Sequence, residues 1–137
     1  MKEDKRSSVR RKQRSWVIPV LCAAVTLLIL KTVLLVGYVP SSSMEPTLHK
    51  NSIILGLRLH GELKTGDIII FRHEGKLLVK RIAACGGGEI ERDGKMLTVP
   101  YGCFYVLGDN AEDSFDSRYW EEPFVKEADV AAVVLGN

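Results

Sequence analysis

Three short stretches carry residue types that could do chemistry. Residues 40–48 read Pro-Ser-Ser-Ser-Met-Glu-Pro-Thr-Leu. Serine hydroxyls become nucleophiles when a base stands beside them; without one, such a loop is only a spacer. Residues 77–84 read Leu-Leu-Val-Lys-Arg-Ile-Ala-Ala, a strand pattern that puts Leu78, Lys80, Ile82 and Ala84 on one face. A lysine among apolar neighbours loses water, which disfavours its charged form and lowers its pKa. A neutral amine can then take the proton of a serine hydroxyl at physiological pH. The plainer alternative is an edge-strand lysine whose head reaches solvent. Residues 108–118, Gly-Asp-Asn-Ala-Glu-Asp-Ser-Phe-Asp-Ser-Arg, form the third stretch. A polar run after a strand is ordinarily a solvated turn. This one is long and holds its own possible ion pair, Asp116 with Arg118, and such a loop can orient a catalytic side chain.

The elements that must position these residues are short strands. Apolar, β-rich runs stand at residues 52–59, 67–71, 76–84, 89–92, 95–99, 104–107 and 130–135. His73-Glu74-Gly75 and Asp93-Gly94 are hairpin turns between neighbouring runs. Residues 123–129 suit a short turn of helix. Gly86-Gly87-Gly88 reads as a bend, since no helix and no Lys-Ser/Thr follow as a phosphate loop requires.

A different composition precedes this body. Residues 16–39 are apolar except for Lys31, and about 20 such residues cross a bilayer. A span of roughly residues 14–33 places Lys31 near the far interface, where its stem can snorkel, and Trp16 at the near one. Pro19 is then expected in the first turns, where a missing N–H matters least. The first 15 residues hold seven Lys/Arg against two Asp/Glu, and the remaining 122 hold 12 against 15. A basic flank stays in the cytoplasm, so the body lies outside. A cleavable signal peptide would share the basic front and apolar middle, but no small-residue cleavage site follows Leu30. The expected organisation is a basic tail (1–15), a membrane anchor (16–35) and an extracytoplasmic body (36–137).

Composition excludes several classes. With 46% hydrophobic and 26% charged residues, the chain is neither disordered nor a multi-span membrane protein. The mildly acidic body argues against nucleic acid as a partner. No C-x-x-C occurs, and His49, His60 and His73 lack ligand spacing with the cysteines, so neither a metal nor another cofactor is expected. Cys22 sits in the apolar run. Whether Cys85 and Cys103 pair is left open, because pairing needs a geometry that spacing does not reveal.

In this order, behind one anchor, the motifs resemble the type I signal peptidase family over nearly the whole chain. Pro-Ser-x-Ser-Met-x-Pro-Thr at 40–47 resembles its nucleophile motif. Gly66-Asp67 with the following strand resembles its Gly-Asp element, Lys80-Arg81 its Lys-Arg pair, and Gly108-Asp109-Asn110 with Ser114-x-Asp116-Ser117-Arg118 its last motif. The resemblance implies a mainly β fold, a small antiparallel sheet or barrel-like catalytic domain behind one transmembrane helix. It implies a serine endopeptidase with Ser43 as nucleophile and Lys80 as base. It gives Ser41 and the Ser43 amide to an oxyanion hole, Ser114 to a hydrogen bond with Lys80, and Asp116 with Arg118 to a supporting salt bridge. The implied substrates are secretory preproteins cut at their signal peptides at the outer face of the cytoplasmic membrane. Lysine, rather than the histidine of the endoplasmic-reticulum relatives, implies the bacterial branch.

The chain departs from the family pattern at Ala111, where arginine is usual, and at Glu121-Glu122, where a glycine often follows. Cys85 stands where a Leu-Pro-Gly bend is more common, and the short link from Ala83 to Pro100 leaves no room for the extra β domain of larger members. Two other readings compete: a catalytically silent, membrane-tethered binding domain, and a self-cleaving repressor-type Ser/Lys protease. The second is disfavoured by the anchor and by the lack of a helix-turn-helix.

Overall fold

The computed structural model describes the backbone of residues 4–136 and the side chains of residues 16–136. Residues 1–3 and Asn137, and the side chains of the basic tail, lie outside the described part. Two compact units divide the chain at Val33/Leu34.

The first unit is one helix, α1 (Asp4–Val33). Its segment Trp16–Val33 has a mean hydropathy of 2.2, and its side chains are exposed except for the half-buried Val33 at its end. A helix apolar on all sides suits a lipid surround rather than one packed face. Inside it, the Thr26 and Thr32 hydroxyls donate to the carbonyls of Cys22 and Ile29, both at 2.8 Å. Neither hydroxyl is thus left bare in an apolar setting. Two expectations are corrected. Helix starts by Asp4, so Pro19 lies about four turns in rather than in the first turns. Helix also stops at Val33, so Leu34 and Leu35, counted with the anchor on hydropathy alone, begin a strand.

That strand, β1 (Leu34–Tyr38), opens the second unit. It is followed by β2 (Ile53–Leu57), β3 (Ile68–His73), β4 (Lys76–Cys85), β5 (Glu89–Arg92), β6 (Lys95–Thr98), β7 (Cys103–Leu107), β8 (Phe124–Lys126) and β9 (Val130–Val134). Among the described residues, seven strands form one antiparallel sheet in the order β1-β2-β9-β3-β4-β7-β8, and β5-β6 form a separate hairpin. The turns form where glycine-bearing pairs accept positive φ: Glu74 and Gly75 at 48° and 77°, Asp93 and Gly94 at 54° and 73°.

β3 is central, and its continuous apolar run is covered on both faces, as such runs are. Ile68 and Ile70 join a cluster with Leu35, Met44 and Ile54; Ile69 and Phe71 join another with Ile82, Val106 and Trp120. At the β1 edge the alternation is clean. Leu35 and Ile54 point inward, while the facing pairs Val36–Leu55 and Tyr38–Ile53 are exposed.

A bulge in β4 changes one expectation. Ile82 pairs with Val106, but Ala84 pairs with Tyr105, one position short of regular spacing. Ala84 therefore turns to the opposite face and packs with Tyr105 and Val99, away from Lys80. The same register separates the cysteines. Cys85 pairs with Phe104 and packs on that side, whereas Cys103 packs with the Ala84 cluster. All three cysteines are free thiols.

Candidate active site

The 40–48 loop leaves β1 at Val39 and is closed at its base. Val39 N–H donates to Ser52 O (3.0 Å) and Asn51 N–H returns to Val39 O (2.7 Å). Met44, 1% exposed, plugs the loop into the core beside Leu35, Val39 and Ile68. Burying such a side chain is worth about 1.5–3 kcal/mol, so the residue after Ser43 anchors it. Glu45 N–H to Ser42 O (3.0 Å) and Leu48 N–H to Met44 O (2.8 Å) tighten the turn.

This loop brings Ser43 onto β4. Lys80 Nζ lies 2.7 Å from Ser43 Oγ, and Lys80 is only 4% exposed. The ammonium form donates to that oxygen and the neutral amine accepts from it. Burial pushes the Lys80 amine below the ordinary lysine value, against the pull of the nearby Asp116 carboxylate. Ser41 Oγ lies 3.2 Å from Ser43 Oγ. The Ser43 N–H has no hydrogen-bond partner among the described residues. A hydroxyl and a free amide thus stand beside one nucleophile candidate.

The 108–118 loop backs this pair. Asp116 is fully buried. Its Oδ2 accepts from Ser114 Oγ (2.6 Å), Gly108 N–H (2.9 Å) and Arg118 Nη2 (2.8 Å), while Oδ1 accepts from Arg118 Nε (2.8 Å). Burial works against its charged form, but the bonds from Arg118, Gly108 and Ser114 outweigh that and hold the carboxyl below its usual range. Ser117 Oγ accepts from Val106 N–H (3.0 Å), which stitches the loop to β7. The resemblance assigned Ser114 to Lys80. Its hydroxyl donates to Asp116 instead, the stronger acceptor because it is charged, and no Ser114–Lys80 hydrogen bond occurs among the described residues.

Sequence reasoning quoted several further residues without giving them a role. Arg81, on the opposite strand face from Lys80, makes a bidentate bond to Asp109 at 2.8 and 2.7 Å and also donates to Gly66 O (2.7 Å). This arginine hydrogen bond holds the Asp109 carboxyl below its usual range. It ties the turn before β3 to the loop after β7. The spacing gave no signal for this pair, which stands 28 positions apart. Ser42 donates to Asp113 Oδ2, and Asn110 contacts Ser42 O through Nδ2 (3.2 Å) and Ser43 O through N–H (3.0 Å). Nothing in the spacing announced these contacts. A shallow cleft beside the pair is lined by Tyr38, Pro40, Met44, Leu77 and Leu78.

With this geometry in place, comparison with known proteins is informative. The family described as signal peptidase, peptidase S26 matches residues 13–99 and 95–135. The chain belongs to that family. It is thereby a serine endopeptidase of the bacterial type I signal peptidase kind. Signal peptidase I of Bacillus licheniformis is 27% identical over a 157-residue alignment covering 86% of this chain and 84% of that protein. A probable signal peptidase I-2 of Synechocystis is 32% identical over 117 residues, 61% of this chain and 54% of the relative. A chloroplastic thylakoidal processing peptidase 1 of Arabidopsis thaliana is 31% identical over 121 residues, 60% of this chain and 36% of that protein.

Proposed function

We propose that Ser43 and Lys80 are the catalytic dyad of this signal peptidase, cutting preproteins beside a membrane. The observation that carries the reading is the 2.7 Å contact between a buried amine and a serine hydroxyl. Neutral Lys80 takes the Ser43 proton as Oγ attacks the scissile carbonyl. The resulting oxyanion accepts from the Ser43 N–H and the Ser41 hydroxyl, donors worth roughly 2.7–4 kcal/mol each in comparable sites. The tetrahedral intermediate collapses, the C–N bond breaks, and the Lys80 ammonium protonates the departing amine. Water then gives a proton to Lys80 and attacks the acyl-enzyme, and Ser43 recovers its proton as the carboxyl product leaves. Asp116 and Arg118 support the loop behind the base.

The substrate lies extended along the free edge of β1, where backbone pairing gives affinity and alternate side chains give selectivity. The shallow cleft admits a small residue such as alanine before the cut. α1 anchors the enzyme in the bilayer, with the basic tail in the cytoplasm and the β unit outside. Two features support this arrangement: the apolar run Trp16–Val33 of α1, and the seven Lys/Arg against two Asp/Glu that precede it. Confinement to one membrane raises the effective concentration of a tethered substrate.

The test is cleavage of a signal-bearing preprotein by the purified full-length enzyme. Ser43→Ala and Lys80→Ala each abolish cleavage without unfolding, and the double variant is no worse than either. Lys80→Arg fails too, since guanidinium does not deprotonate near neutral pH. Substantial activity in Lys80→Ala would assign the base elsewhere. A silent binding domain would show no difference between wild type and Ser43→Ala.

A further inference from the structure

The Ser42–Ser43 peptide carries the Ser43 N–H at one end and the Ser42 carbonyl at the other. The unit is planar, so fixing its carbonyl and its flanking Cα positions fixes the direction of the N–H. Residues 110–113 hold the Ser42–Ser43 segment at three points, beside the Glu45 N–H bond to Ser42 O at 3.0 Å. Asn110 Nδ2 donates to Ser42 O (3.2 Å), Asn110 N–H donates to Ser43 O (3.0 Å), and the Ser42 hydroxyl donates to Asp113 Oδ2. Asp113 N–H is itself bonded to Asn110 O at 3.2 Å, so the three grips belong to one short turn. Asn110 Nδ2 and Glu45 N–H both hold the Ser42 carbonyl, and Asn110 N–H holds the carbonyl of the next peptide. The bond from the Ser42 hydroxyl to Asp113 adds a hold on the Ser42 side chain, and so on the Cα at one end of the peptide. Its acceptor is an exposed carboxylate. Ser42 is the only side-chain partner of the Asp113 carboxylate among the described residues.

From this geometry we infer that Asp113, acting through Ser42, is a positioning residue that aims the Ser43 amide at the developing oxyanion. The inference rests on the reading of Ser43 as nucleophile. Removing one such donor outright costs about 10²–10³ in kcat, and misaiming it costs part of that. Ground-state substrate binding does not use the oxyanion contact fully, so the loss falls on kcat rather than KM.

The experiment measures preprotein cleavage by full-length enzyme in micelles, well below each variant's melting temperature. Asp113→Ala and Ser42→Ala each lower kcat by about 10- to 30-fold with KM within about twofold. The double variant loses no more than the worse single one, because both remove the same bond. Asp113→Asn recovers most of the loss, since its Oδ1 still accepts from Ser42. Unimpaired kcat in Asp113→Ala, losses that multiply, a loss carried by KM, or no recovery with asparagine each overturn the proposal. Ser43→Ala separates the two readings. If it is inactive while Asp113→Ala is unimpaired, the positioning role alone falls. If it keeps its activity, the nucleophile assignment falls and this inference with it.

Discussion

As the proposed base, Lys80 must be buried enough to be neutral, yet close enough to Ser43 to use that neutrality. Burial supplies the first condition and the Met44-anchored loop the second. The buried Asp116 pulls the other way, favouring the ammonium, and burial wins. The neutral fraction of Lys80 grows as pH climbs through its folded pKa, which lies below the ordinary 10.5. Activity, kcat/KM, is expected to rise along that limb and level off above it. The stability consequence has the same window. Between the folded and unfolded pKa values the unfolded chain binds more protons, so stability rises with pH there. Lys80's contribution is full above the unfolded value and is lost as pH falls through the folded one. Lys80→Met is therefore expected to be inactive and to show a flatter stability–pH profile, checked by denaturant titration across the alkaline range. A flat activity profile with an unshifted amine signal by NMR would remove Lys80 as the base.

At the scale of elements, the site depends on how closely two loops approach. Gly108 stands where they meet: a Cβ there would come within 2.1 Å of Ser114 Oγ and 2.6 Å of Ser43 O. Contacts that short force a backbone or side chain to move. Gly108→Ala is expected to cut kcat by 100-fold or more while the sheet still folds, measured by cleavage beside circular dichroism. Wild-type turnover in that variant would show that the loops tolerate separation. The same loops show what a sequence can reveal. β3 was legible because its apolar run is unbroken, and both hairpins because Glu74-Gly75 and Asp93-Gly94 mark the turns. β1 was hidden because Leu34 and Leu35 extend the hydropathy of α1 without a break. β8 has only three residues, too few for alternation to register. Ser43 and Lys80 stood out by residue type and order. The Ser42–Asp113 and Arg81–Asp109 contacts did not, because each joins positions 28 or more apart whose proximity comes only from sheet order.

For the whole molecule, chemistry and location are coupled through a short covalent link. β1 begins at the residue after α1, and the 40–48 loop that holds Ser43 begins just after β1. Ser43 is ten residues after Val33, a covalent length of at most about 36 Å. On the proposed reading, a site so tethered meets substrates held in the same membrane far more often than free ones. On the proposed reading, charge sets which side it faces. Seven Lys/Arg against two Asp/Glu precede the apolar segment, and basic flanks are retained in the cytoplasm. Lys31, in the last turn of α1, adds one opposing charge at the far end, too few to reverse the bias. The expected topology is tail inside and β unit outside. Protease added to spheroplasts should digest the β unit and spare an N-terminal epitope, and both should be cut once the membrane is opened by detergent. Protection of the β unit with loss of the epitope would invert the topology and place the cut on the wrong side for an exported preprotein. The charge argument can be tested separately by replacing Arg10, Arg11, Lys12 and Arg14 with glutamine. If the basic flank sets the orientation, a measurable fraction of molecules should then insert inverted, and an unchanged digestion pattern would show that another feature decides it.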